Sequence, residues 1–413
     1  QSIAAIPIPH MTCENEGEMT TASRRRRSSA AGPLDDDDLL SEILLRLPPQ
    51  PSSLPRASAV CKLWHSLVSD ARFLRRFRIR HSRNPPPLLG CFSGGTGLSF
   101  IPALDAPNRV PPERFSLQID DGDRLYPRGC RHGLVLIFDL KQNQFLVWDP
   151  ITGDQHRVAV PPGFEGQGLS NPIHGAVRRA AAGDVHFQLV LVMAESDNKI
   201  HHTQAVARVY SSQTGLWGKL ISTPLPPEAN QRWYPTRICQ QPAVLVGDSL
   251  YWILTGIFEG ILEFDFDRQS LAVIQVPVSM FEADCCFTVM RAEDGGLGFL
   301  FVSKFAAQAR LWKMKTDRDG IVSWGLERTI ELDKLLSLNS KKKYIRIRGY
   351  AEDNNLVFMS TPIGFLMVQL QSWQVTRLSE TNLYCPHHPF ESVYTAEKGI
   401  GGRHDGAELP HNT

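Results

Sequence analysis

From residue 88 to about residue 395 the chain loosely repeats one arrangement: a short run of Val, Ile, Leu, Phe and Trp, a turn, a second such run, and a third that ends in Pro. VWDPITGDQHRVAVPP at 147, VYSSQTGLWGKLISTPLPP at 209, EFDFDRQSLAVIQVPV at 263 and the more degenerate VQLQSWQVTRLSE at 368 carry it. Apolar runs of this length bounded by Gly, Asp, Asn and Pro read as strands. HGLVLIFDL at 132, FQLVLVMA at 187, AVLVGDSLYWIL at 243 and GFLFVSK at 298 fill the intervals. Grouped together they make four-stranded units of about fifty residues, the length of a propeller blade, and about six of them fit. Radial repetition also leaves a sheet protein of this size with few open edges. FESVYTA at 390 is expected to supply a closing strand to the first unit, and LERTIELDKLLSL at 326 is expected to be a helical excursion.

Ahead of this region, residues 34–80 hold three amphipathic stretches: LDDDDLLSEILLRLPP, SSLPRASAVCKLWHSLVSD and ARFLRRFRIR. In the first, Leu39, Leu40, Ile43, Leu44 and Leu47 recur at helical spacing, with Asp35 or Asp36 placed to cap and Pro48-Pro49 to stop. That pattern predicts a helix over about residues 36–47. In the second, Leu54, Ala57, Cys61, Trp64 and Val68 form one stripe and Val60, Leu63 and Leu67 a neighbouring one, so the stretch is apolar on two sides. A helical trio this small can bury only part of that surface. A partner protein is expected to cover the rest.

The trio resembles an F-box, the motif by which substrate receptors of Skp/cullin/F-box ubiquitin ligases hold their Skp adaptor. The likeness lies in Asp37, Asp38, Leu39, Leu40, Ser41, Glu42, Ile43 and Leu44, then Leu47, Pro48, Leu54, Arg56, Ala57, Val60, Cys61, Lys62, Trp64 and Phe73. One departure is that the family usually opens with Leu-Pro before the acidic pair, where this chain has Asp35-Asp36 with Leu34 one place early. The resemblance implies docking on a Skp-type adaptor and, through it, on a cullin-RING ligase. Leu39, Leu40, Ile43, Leu44, Leu47, Leu54, Val60, Cys61, Trp64 and Leu67 would anchor the adaptor, with Pro48 and Arg56 shaping the helix junction. The β region resembles the F-box-associated, kelch-like domains of plant F-box proteins in HGLVLI, FLVWDPITG, GDSLYWIL, ILEFDFDRQSLAVI, LERTIEL and HPFESVYTA.

The expected architecture is therefore an α+β multidomain chain: a tail over residues 1–33, a three-helix F-box over 34–83, an all-β propeller of about six blades over 84–396, and a tail over 397–413. Asn84-Pro85-Pro86-Pro87 marks the boundary. The function implied is that of a non-enzymatic receptor whose β domain captures an unidentified protein target for ubiquitin transfer by other subunits. Two other readings stay open: a β domain that binds a sugar or other small molecule, with the F-box acting outside a ligase, and a propeller enzyme.

Composition narrows the rest. A chain of 413 residues that is 42% hydrophobic has room for two or three domains, and a net charge of +1 argues against a general nucleic-acid role. Arg72, Arg75, Arg76, Arg78, Arg80 and Arg83 around Phe73, Leu74, Phe77 and Ile79 read as a solvated helix face able to meet an acidic partner. The eight cysteines show no C-x-x-C and no framework spacing, which fits a reducing compartment. No run approaches a membrane-spanning length and QSIAAIPIPH is too short for a signal-peptide core, so the expected location is cytoplasmic, nuclear or both. Arg24, Arg25, Arg26 and Arg27 read either as a nuclear import signal or as a solvated tail charge run.

No catalytic triad, phosphate loop or paired-carboxylate motif emerges in its required context, and Gly94-Gly95-Thr96-Gly97 reads as a turn. His201-His202, His387-His388 and Cys385 are zinc-ligand types, but neighbours on a strand point to opposite faces, so no metal and no cofactor is expected. Cys285-Cys286 reads as buried small side chains. Trp148, Trp217, Trp252, Trp312, Trp324 and Trp373 are expected to pack between blades. Trp233, Tyr234 and Arg237, in the polar stretch ANQRWYPTR, are the candidate target-contacting residues.

Overall fold

The computed structural model describes residues 36–395 apart from residues 83, 95–96, 118–123, 165–171, 180–183, 197–202, 227–235, 257, 277–284, 304–306, 317–321, 339–343 and 381–386. Among the described residues, the strands after Pro87 form six antiparallel sheets. Three are four-stranded meanders. One runs through Leu125–Arg131, Leu134–Asp139, Gln144–Trp148 and Gln155–Ala159, and another through Cys285–Arg291, Leu297–Ser303, Gln308–Thr316 and Val322–Glu331. The third comprises Arg346–Ala351, Leu356–Thr361, Gly364–Gln369 and Val375–Ser379. Two further sheets are built on His174–Arg179, Phe187–Ser196 and Thr203–Ser211, and on Ser249–Thr255, Gly260–Asp265 and Ser270–Gln275, each with short additional strands. The remaining sheet joins Ser99–Pro102 and Leu88–Ser93 to His387–Glu391. First strands of successive sheets lie against one another around a common axis, so the sheets are the six blades of a propeller.

The apolar runs follow from this stacking. Second strands such as Leu134–Asp139 and Leu297–Ser303 are buried almost throughout, because a blade's two faces each meet a neighbour. Outermost strands such as Gln155–Ala159 and Val322–Glu331 are largely exposed. Trp148 and Trp252 are buried in inter-blade cores, and Trp217, Trp312, Trp324 and Trp373 pack half-buried against such cores. Aspartates fix the turns: Asp139 Oδ1 accepts from the amides of Lys141 and Gln142, and Asp265 Oδ1 from those of Asp267 and Arg268.

Two expectations need correction here. Residues 326–338 are not a helical excursion: Val322–Glu331 is an outermost strand paired with Gln308–Thr316, and only Leu332–Leu335 is helical. Completing a blade outweighed the local apolar spacing. The closing strand is His387–Glu391, so only Phe390 and Glu391 of FESVYTA lie in it. It pairs with Leu88–Ser93 and joins the start of the domain to its end.

Near the axis a buried ion pair spans the ring. The Arg131 guanidinium donates to both oxygens of Glu352, to the Val177 carbonyl at 3.3 Å and to the Ala243 carbonyl at 2.7 Å, while Glu352 Oε1 also accepts from the Leu245 amide at 3.1 Å. Four blades are tied by two side chains. At Gly349 the ring is so tight that a Cβ would stand 2.4 Å from the His387 carbonyl oxygen.

Four helices precede the propeller: α1 (Asp37–Leu44), α2 (Ser53–Ser58), α3 (Lys62–Ser69) and α4 (Ala71–His81). The helix expected over residues 36–47 ends at Leu44, and the second amphipathic stretch is two helices, broken where Cys61 turns extended. Asp70 Oδ1 caps α4 by accepting from the amides of Arg72 and Phe73. Leu40, Leu44, Leu45, Leu54, Ala57, Val68, Phe73, Leu74 and Phe77 form the core of this unit, together with Val393 from beyond the closing strand.

That last contact fixes the unit on the propeller. Arg78 Nη1 lies 3.4 Å from Thr395 Oγ1, and the Ser52 amide donates to Asn108 Oδ1 at 3.2 Å. The Pro85-Pro86-Pro87 linker is held as well, because Asn354 Nδ2 donates to the Pro86 carbonyl and the Ser392 amide to that of Pro87.

Candidate functional site

The candidate docking face begins at the N-terminus of α1. Asp36 Oδ1 accepts from the amides of Asp38 and Leu39 at 3.0 Å, and Asp37 and Asp38 place negative charge in the first turn, where the helix dipole favours it. With the start pinned, helical spacing assigns the apolar residues to two faces. Leu40 and Leu44 point into the core, whereas Leu39 and Ile43 face solvent at 45% and 37% exposure. At the break between α2 and α3, Val60 is 60% exposed, Leu63 is 38% exposed, and Cys61 is exposed beside them. Helices α1 and α3 pack on each other, so this apolar surface sits on adjoining elements.

The predicted anchors therefore divide. Leu39, Ile43, Val60 and Cys61 are exposed, as are Pro48 and Arg56, while Leu47, Trp64 and Leu67 are half-buried. Leu40, Leu44 and Leu54, expected as anchors, are instead buried in the unit's own core. The reason is α4, whose Phe73, Leu74 and Phe77 fill the space these leucines face. Phe77 also packs, with its ring tilted, against His81, which donates from Nε2 to the Leu45 carbonyl at 3.1 Å and ties the end of α4 to the end of α1. Burial of the His81 ring pushes its pKa down. Leu63, which belongs to the second apolar stripe of the sequence but is not among the predicted anchors, is exposed alongside them.

The basic residues of α4 lie on the outside, with Arg72, Arg75, Arg76 and Arg80 exposed and Arg76 paired to Glu42 of α1. Arg83 lies outside the described residues, as do Leu34, Asp35, the 24–27 arginine run, Gly95, Thr96, His201, His202 and Cys385. Trp233 and Tyr234 also lie outside them. Arg237 is exposed, at the start of the short strand Arg237–Ile238 that pairs with Ser249–Thr255.

Several ionisable groups of the propeller are buried in its interior. His387 and His388 are both buried, and the His387 ring packs against Phe365 in a tilted arrangement with centroids 4.5 Å apart. Burial pushes His174 and His388 down to about 3, helped by the Arg128 charge, so both rings are neutral at pH 7. Burial raises the Cys91 and Cys130 thiols well above their ordinary value, which keeps them protonated. Glu391 is lifted to about 7 by burial and then by the neighbouring Asp353 carboxylate, while accepting from the backbone of Asp353 and from both nitrogens of Asn354. Among the described residues no group of three or more His, Cys, Asp or Glu is placed to hold a metal ion.

Comparison with known proteins divides the chain in the same way. A family model described as "F-box domain" matches residues 36–76, and one described as "F-box protein AT5G49610-like, beta-propeller" matches residues 128–395. The chain is 23% identical over 384 residues to the F-box/kelch-repeat protein At1g15680 of Arabidopsis thaliana, covering 87% of each. It is 23% identical over 343 residues to the F-box protein At3g22700 of the same species, covering 80% of this chain and 93% of that one. Among solved structures, the periplasmic gluconolactonase PpgL of Pseudomonas aeruginosa aligns with a TM-score of 0.36 at 14% identity over 58% of this chain and 66% of that one, a likeness that carries no argument about activity.

Proposed function

Because the chain belongs to the family of F-box proteins with an AT5G49610-like β-propeller, we propose that it is a substrate receptor of a Skp/cullin/F-box ubiquitin ligase. The observation that carries this reading is the exposed apolar row Leu39, Ile43, Val60 and Leu63 on a helical unit whose own core is already filled. A folded unit gains nothing by itself from exposing four such side chains on adjoining helices, whereas a partner that covers them gains apolar burial. In this division of labour residues 34–83 hold the Skp-type adaptor, and through it the cullin, while residues 84–396 capture the target. The receptor's contribution to ubiquitin transfer is positioning, with the covalent chemistry left to other subunits.

The target is assigned to the propeller face where outermost strands feed the next blade's first strand. The exposed Arg237 opens one such first strand, and Trp233 and Tyr234, which lie outside the described residues, precede it in the sequence. Arginine and aromatic residues are the side chains that most often anchor protein interfaces. The test is reconstitution of the full chain with a purified Skp-type adaptor. A stable one-to-one complex, weakened by Ile43→Asp with unchanged thermal stability, is expected. Folded protein that fails to bind the adaptor refutes the reading.

A further inference from the structure

Between the helical unit and the first blade lies an open cleft of about 430 Å³. One wall is α2 with the turn before it, contributing Pro51, Pro55 and Arg56. The other is the connection after Ser99–Pro102, contributing Pro107 and Arg109, with Tyr394 from beyond the closing strand. The lining is mostly apolar and rigid, since prolines have few conformations to lose when covered. Its two charged residues are both arginines, and among the described residues neither makes a salt bridge. The cleft adjoins the docking face directly. Ala59 lines it, and the next residue is Val60, the most exposed apolar residue of that face.

We infer that the adaptor's contact runs on from the helices into this cleft, where an adaptor segment of apolar side chains flanked by carboxylates lies between α2 and the first blade, paired with Arg56 and Arg109. The inference rests on the reading of the helical unit as an adaptor dock. Continuity selects the adaptor as occupant: any protein seated on Val60 is one residue from the cleft mouth, and a second partner would have to share that edge. Charge selects the chemistry, because a carboxylate entering the cleft meets two guanidinium groups and no acidic lining residue. The consequence is that adaptor recognition is not confined to the helices but reads the first blade as well.

The experiment measures adaptor affinity of the full chain by biolayer interferometry at two salt concentrations, with Arg109→Glu, Arg109→Lys and Ile43→Asp as variants. Arg109 is exposed on a loop, so its substitution leaves the fold's core untouched. Arg109→Glu is expected to weaken binding about tenfold at low salt and less at high salt, and Arg109→Lys to stay within about threefold of the native chain. If the native chain binds, Ile43→Asp weakens binding and Arg109→Glu binds as tightly as the native chain, the cleft inference is overturned while the dock reading stands. If the folded native chain does not bind at all, both fall. A fluorophore on Arg109→Cys in a Cys61→Ser background, which removes the exposed thiol of the helical unit, gives a second measurement: its emission should shift on adding adaptor. A shift already present without adaptor and abolished by removing residues 396–413 would assign the cleft to the chain's own tail and overturn the inference.

Discussion

Ile43 and Leu44 are neighbours on α1 with opposite surroundings, and replacing each by alanine separates docking from folding. Leu44 is 1% exposed among Leu40, Phe73 and Phe77. Truncating it leaves a cavity in a small core and should cost about 2–5 kcal/mol of folding stability. Ile43 is 37% exposed, so truncation there should change folding stability little. What it removes is area that only a partner can cover. Full burial of an isoleucine side chain is worth about 1.5–3 kcal/mol, and the share still exposed brings this to about 0.5–1 kcal/mol, a two- to fivefold loss of affinity. A single substitution is therefore a weak test. Combining Leu39→Ala, Ile43→Ala and Val60→Ala should cost about 2–3 kcal/mol, or about 30- to 150-fold in Kd, provided the sites act independently. Thermal denaturation reports the folding side and adaptor titration the docking side. A triple variant that melts like the native chain and still binds with native affinity refutes the assignment of this face. Equal destabilisation by Ile43→Ala and Leu44→Ala refutes the helix orientation on which it depends.

Removing one partner of the buried pair, as in Arg131→Met or Glu352→Leu, should destabilise the propeller by about 3–5 kcal/mol, and the double variant by much less than the sum, as read from urea denaturation. Equal and additive losses would show that the two side chains are not coupled. Glu391, lifted from its ordinary 4.5 to about 7, stabilises the fold in its protonated form, so its contribution is full below pH 4.5 and is lost as pH rises through 7. Glu391→Gln should accordingly gain stability relative to the native chain between pH 4.5 and 7 and level off above. The neutral rings of His174 and His388 impose the opposite slope below pH 6.5, which is why the difference between the two proteins, not the native curve, is the quantity to measure. Gly349→Ala should drive the closing strand from its neighbour and cost about 1–3 kcal/mol in denaturant titration, and a neutral outcome would mean that His387 has room to move.

Much of the architecture was legible because propeller blades write their stacking into local sequence. Runs such as Leu134–Asp139 are apolar throughout since both faces are covered, and aspartates such as Asp265 announce the turns. The N-terminal helices were legible as apolar segments but not as oriented ones. Nothing local distinguishes Leu44, which α4 covers, from Ile43, which it does not, because the difference depends on Phe73, Phe77 and the distant Val393. The Arg131–Glu352 pair gave no signal, since two charges 221 positions apart have no periodicity. At 326–331, apolar spacing compatible with a helix was overridden by pairing with Gln308–Thr316. The Arg56–Arg109 cleft was invisible for the same reason as the ion pair: its two walls meet only when the first blade has formed.

The contact of Val393 and Thr395 with the N-terminal helices also sets an order of events during synthesis. Arg78 leaves the ribosome 317 residues ahead of Thr395, so the helices are made long before the segment that completes their core. Until that segment arrives the first blade lacks a strand and the helical unit lacks one of its core side chains, the same few residues supplying both. A chain that stops short of residue 387 is thus defective at both ends at once. Completeness of the ring and completeness of the helical core are thus one event, reached only when the last blade strand and Val393 are in place.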